Sequence, residues 1–95
     1  MSLESIELWH RRARPNPDPR DLSVQVGCHF EEVAEMCAAI WGTNRDTEAL
    51  VSNLEAAATA LALHLKNGHG DIEVFDRVEL LDAIGDQVVT AIGVA

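Results

Sequence analysis

Residues 21–42 read DLSVQVGCHFEEVAEMCAAIWG, and the way this stretch folds decides the rest. Leu22, Val26, Phe30, Val33, Cys37 and Ile40 recur in steps of three and four, the spacing of one helix face and not of a strand. Asp21 suits an N-cap, and Gly42 after Trp41 suits a helix end. Upstream, RPNPDPRD (14–21) carries Pro15, Pro17 and Pro19, whose fixed φ predicts an extended link. A shorter helix precedes it, from about Ser2 to Arg14, with Leu3, Ile6, Trp9, His10 and Ala13 at helical spacing. Downstream, TNRDTE (43–48) opens a third helix marked by Leu50, Leu54, Ala57, Ala58, Leu61 and Leu65. KNGHGD (66–71) ends it, two glycines within three residues being a strong break. A fourth helix is expected from about Asp71 towards the C-terminus.

No segment alternates apolar and polar residues as a half-buried strand does, so the fold class is all-α. Short connections make neighbouring helices antiparallel, and 95 residues make one domain, a bundle of about four helices. The second and third helices are apolar over more than one face, which four short helices cannot bury alone. A homodimer or homotetramer is therefore expected to complete the bundle.

The chain holds 7 basic against 16 acidic side chains, for a net charge of −9. Four of the arginines lie in residues 1–20, so the remainder is more acidic still. With no basic stripe to neutralise phosphates, nucleic acid is excluded as a partner. No apolar run approaches the roughly 18 residues of a membrane span, and no signal peptide is visible. Cys28 and Cys37, roughly 13 Å apart along one helix, cannot bridge each other. These features together predict a cytoplasmic protein with two free thiols.

Within the decisive stretch, FEEVAEM (30–36) gathers Glu31, Glu32 and Glu35, and residues 22–44 contain neither Lys nor Arg. With Glu31 at 0° on a helical wheel, Glu35 falls at about 40° and Glu32 at about 100°, all on one face. The fourth helix has its own ribbon: Asp76, Glu79, Asp82 and Asp86 span about 120°, with Arg77 well to one side. Like charges at these spacings repel, and a divalent cation removes the repulsion. Carboxylates without nitrogen or sulfur ligands suit a hard ion, Mg²⁺ before others and Mn²⁺ as a substitute.

FEEVAE followed by VELLDAIGDQV (78–88) resembles the paired EExxE and ExxD motifs of the all-α nucleoside triphosphate pyrophosphohydrolases, the MazG-like proteins. LWHRRARPNPDP (8–19) is similar to the helix end and Pro-rich link of short phage and bacterial members. The resemblance implies a single MazG-like domain over residues 1–95 that hydrolyses a nucleoside triphosphate to monophosphate and pyrophosphate with Mg²⁺. By position it implies Glu32, Glu35, Glu79 and Asp82 as metal ligands, with Asp86 holding a second ion. Glu31 becomes the carboxylate that orients or deprotonates the attacking water. Trp9, His10, Arg11 and Arg14 fall where the substrate would be contacted, and Arg12 and Lys66 are further candidates for its phosphates. The chain departs from the family's pattern in two respects: a whole helix separates the motifs where a short connection is usual, and only 13 residues follow Asp82, where a later segment often supplies phosphate-binding Lys, Arg or Asn. The competing expectation is a non-catalytic acidic helical dimer whose metal site is vestigial or structural.

The remaining polar residues point less far. His29 lies three before Glu32, the reverse of the Glu-x-x-His order of di-iron sites, and His64 and His69 lack partners for zinc. LEAAATALALHL (54–65) reads as close helix packing.

Overall fold

A computed structural model describes Glu4 and residues 19–94 of the chain. These residues form α1 (Pro19–Ala38), α2 (Arg45–Lys66) and α3 (Arg77–Val94), and among them there is no strand. The fold is all-α. The first expected helix, Ser2–Arg14, falls almost wholly outside the described residues, as do Trp9, His10, Arg11, Arg12 and Arg14. Asp18–Ile72 make one compact unit, and α3 belongs to a second that is described by itself.

The compact unit is an antiparallel helical hairpin, and its packing follows from small side chains. On α1, Ser23, Gly27, Ala34 and Cys37 are buried; on α2, Ala58, Ala62 and Leu65 are. The intervals are fours, threes and sevens, the repeat of two helices packed along a narrow seam. Gly27 marks the closest approach. A Cβ built there would lie 3.2 Å from the Ala62 carbonyl oxygen, 3.2 Å from Leu65 Cβ and 2.8 Å from Lys66 Cγ.

This seam corrects the expected core. Leu22, Val26, Phe30 and Val33 are only half-buried, and Ile40 is exposed. On α2, Leu50 is 69% exposed, Leu54 51% and Leu61 38%. On each helix the contact face is turned from the bulky stripe by roughly a quarter-turn, because only the small residues let the axes come this close. On α1 the turn is towards the carboxylates, which sets Glu31 at the edge of the seam. In an antiparallel pair the two bulky stripes then lie on one side of the hairpin and the α1 acids on the other. Nor is α1 covered all round: Glu32, Glu35, Met36, Ala38 and Ala39 are exposed.

The helix ends also differ from expectation, each for a visible reason. Pro19 starts α1 instead of belonging to the extended link, since a first-turn Pro sacrifices no hydrogen bond; Asp21 lies inside the first turn. Arg20 reaches from there to the other end of α2. Its Nη1 donates to the Leu65 carbonyl at 2.5 Å and its Nη2 to the Lys66 carbonyl at 2.7 Å. Two carbonyls that the helix leaves without partners are thus satisfied by a cation, which also suits the negative end of the helix dipole. Gly68, at φ +76°, then turns the chain out of α2, a backbone conformation that suits glycine.

At the hairpin tip α1 stops at Ala38, short of Trp41. The Gly42 N–H instead donates to Glu48 Oε2 at 2.6 Å, on the first turn of α2. Asn44 caps α2, its Oδ1 accepting from Thr47 N at 2.8 Å. The last expected helix begins at Arg77, not near Asp71. Asp71 pairs with Arg20 at 3.3 Å, and Ile72 N donates to the buried Ser23 hydroxyl at 3.0 Å, so both lie along the hairpin. Asp76 is the N-cap of α3: Glu79 N donates to its Oδ1 at 2.9 Å and Leu80 N to its carbonyl at 3.0 Å.

Candidate functional site

The α1 carboxylates stand where the helical period puts them, on the face flanking the seam. Glu31 is half-buried, while Glu32 and Glu35 are exposed. Glu32 pushes the Glu35 carboxyl above its usual 4.5, first by charge repulsion and second by accepting a hydrogen bond from the protonated form. Partial desolvation and Glu31 add to the rise, and Lys66 opposes it. When both are ionised they are acceptor-only groups that repel each other.

Glu31 differs. The Lys66 ammonium, from the last turn of α2, donates to its Oε2, and both side chains remain partly exposed. The Lys66 pKa stands above its usual 10.5, chiefly through that hydrogen bond. The carboxylates are therefore not without a cation, as residues 22–44 alone suggest. One arrives across the hairpin and meets a single member of the trio. The residue was legible as a cation and its partner was not, because the pairing depends on the seam. With Gly27 against Ala62 and Leu65, the stem of Lys66 crosses α1 at Gly27, one helical turn before Glu31.

A groove of about 300 Å³ is lined by Glu31, Ala34, Thr59, Ala62, Leu63 and Lys66. Arg20, the other cation near this end of α2, is committed to the helix carbonyls and Asp71.

On α3, Glu79, Asp82 and Asp86 are all exposed, with Leu80, Leu81, Ile84 and Val88 half-buried on other faces. Glu79 and Asp82, at i and i+3, share a face, and Asp86 follows four residues on. Each acidic set thus lies on one helix as expected, and the two sets belong to different units. Among the described residues no three His, Cys, Asp or Glu side chains are gathered closely enough to hold a metal ion. The donor set itself is exposed carboxylates, of which Glu32 raises the pKa of the Glu35 carboxyl; oxygen donors of this kind are the sort a hard divalent cation takes. His64 and His69 stack loosely, ring centroids 5.9 Å apart, at the C-terminal end of α2. Cys28 and Cys37 are free thiols. Among the described residues no helix is long and apolar enough to cross a membrane. No family model, no curated protein and no solved structure matches the chain.

Proposed function

We propose that this protein is a cytoplasmic, Mg²⁺-dependent nucleoside triphosphate pyrophosphohydrolase that releases a monophosphate and pyrophosphate. The reading rests on the motif resemblance, and the observation that supports it is the acidic face of α1, where Glu32 and Glu35 repel each other. A helix that sets two carboxylates against each other, with its nearest cation engaged elsewhere, is built for an ion that arrives later. Glu32 and Glu35 with Glu79 and Asp82 would hold that ion, and Asp86 a second one. When bound, Mg²⁺, or Mn²⁺ in its place, makes water at the site more acidic and offsets charge on the leaving pyrophosphate. Glu31 orients the attacking water and takes its proton. In this reading a homodimer or homotetramer completes the bundle, and Trp9, His10, Arg11 and Arg14 contact the nucleotide.

The Lys66–Glu31 ion pair favours a second reading, in which the acidic face belongs to a non-catalytic helical dimer with a vestigial or structural metal site. One experiment separates the two. The protein is incubated with a panel of NTPs and dNTPs, with and without Mg²⁺, and pyrophosphate is assayed. Release that needs the metal supports the enzyme. No release from any nucleotide at millimolar Mg²⁺ sinks it.

A further inference from the structure

We propose that the hairpin is half of a four-helix bundle: its uncharged side, with Val26, Phe30 and Val33 of α1 and Leu50, Leu54 and Leu61 of α2, packs against the same side of a second copy of the chain. The inference rests on the oligomer in the reading above, not on its chemistry, and assigns that oligomer a surface.

Among the described residues the buried apolar side chains are Ala34, Cys37, Ala58, Ala62 and Leu65, of which only Leu65 is large. Such a seam brings two helices close but removes little apolar area from water, and that area is what stabilises a small domain. The bulk is displayed instead. Ile40 is 49% exposed, and along α2 exposure climbs towards the hairpin tip, from Leu61 through Leu54 to Leu50. With the half-buried Val26, Phe30 and Val33, these side chains leave on the order of 500 Å² of apolar surface in water, the upper end of what a monomer shows as one patch. A standard interface takes about 800 Å² from each partner, roughly 60% of it apolar, so the patch matches what a stable dimer needs.

The charge pattern identifies the occupant. Within roughly 110° of the seam on this side, neither helix carries Asp, Glu, Lys or Arg. The other side holds Glu31 and Glu35 of α1 and Glu48 and Glu55 of α2, so two copies of a chain at −9 would repel there. The uncharged side meets its own copy with no like charges opposed. A two-fold axis presents one patch to both partners, and an apolar surface need only complement itself. In the resulting bundle the acidic sides, with the Lys66–Glu31 pair, face outward on both copies.

The test is sedimentation velocity on the full chain from micromolar to submillimolar concentration, with Tm measured over the same range. Leu54→Glu places a charge on the proposed contact. Leu63→Glu makes the same change of charge at a side chain of similar exposure, 53%, that lines the groove with Lys66 on the opposite side. Leu54→Gln adds no charge and is carried alongside, so that unfolding of the glutamate variant does not decide the outcome. Wild type should sediment as a dimer whose Tm rises with concentration. Leu54→Glu should weaken association by about a hundredfold or more, since each copy loses a leucine and must desolvate a carboxylate. Leu54→Gln should weaken it about tenfold, and Leu63→Glu should stay within about fivefold of wild type.

A compact monomer at every concentration overturns the proposal and the oligomer with it. An assembly that both Leu54 variants leave as strong as wild type, or that Leu63→Glu weakens as much as Leu54→Glu, overturns the assigned face alone. Pyrophosphate release is assayed separately, and its absence would count against the enzyme without touching the interface.

Discussion

Gly27→Ala tests the hairpin seam, because two effects of opposite sign meet in one methyl group. In an open helix interior, Ala is more favourable than Gly by about 1 kcal/mol. At Gly27 the new Cβ would meet Ala62 O and Leu65 Cβ at 3.2 Å and Lys66 Cγ at 2.8 Å. All three belong to one turn of α2, so no side-chain rotation relieves them together and the helix axes must separate. Overpacking of this kind costs about 1–3 kcal/mol, and the contact with a backbone oxygen argues for the upper half. The net expectation is destabilisation by about 1–2 kcal/mol, roughly 5–10 °C in Tm for a domain this size.

Thermal denaturation followed by circular dichroism reads this directly. Gly93→Ala on α3 is the control, since nothing lies within 4 Å of the Cβ added there. It should leave Tm unchanged or raise it slightly. Combining Gly27→Ala with Lys66→Ala removes the closest contact, so the cost of the glycine substitution should fall in that background. A Gly27→Ala variant more stable than wild type would refute the close approach of α1 and α2 at this turn.

Four further expectations follow from the same geometry. In metal-free protein, Glu32→Gln and Glu79→Gln should melt no lower than wild type while losing Mg²⁺-dependent pyrophosphate release; Glu31→Gln, which strands Lys66, should melt lower, and equal melting of all three would show that the acids do not differ. The Glu35 carboxyl is raised above 4.5, so ionising it disfavours the folded chain. Glu35→Gln should therefore exceed wild type in Tm most above the folded pKa, the gap closing as pH falls through that value towards 4.5; a gap that widens on acidification reverses the sign of the argument. Arg20→Met should cost about 1–2 kcal/mol through two charged hydrogen bonds at the end of α2, discounted for partial exposure, and a Tm within 2 °C of wild type would show the cap to be idle. Light scattering at micromolar concentration should find a dimer or tetramer, because Leu50 and Leu54 remain exposed beside the seam, and a compact monomer would contradict it.

The helices were legible in the sequence where spacing and breakers agree, and their faces only in part: Cys37, Ala58 and Leu65 of the expected stripes are buried, the bulkier members are not. Steps of three and four from Leu50 to Leu65 locate α2, and Asn44 and Gly68 bound it, because period and punctuation are local properties. Which stripe becomes the contact is not local. Bulk predicts Val26, Phe30 and Val33, whereas the hairpin closes on Ser23, Gly27 and Ala34, since close approach along the whole seam outweighs the volume of any one residue. The start of α3 was missed for a similar reason. Asp71 follows the glycines that end α2 and so looks like the start of the next helix, but its carboxylate pairs with Arg20, 51 positions earlier. The acidic faces themselves follow from the helical period alone. The partner of Glu31 does not, because a cation 35 positions away becomes a neighbour only once the seam has its register.

That register also gives the three α1 carboxylates different tasks, although residue type and spacing make them look alike. Glu31 lies nearest the seam and meets Lys66, so its charge contributes to holding the hairpin in the absence of any ligand. Glu32 and Glu35 lie farther round, where the ammonium reaches Glu35 only as a weak opposing field, and their mutual repulsion persists. The hairpin thus ties its one nearby ammonium to the acid at the edge of the seam and leaves the Glu32–Glu35 repulsion standing, so the ion pair and the carboxylates proposed as metal ligands are different residues.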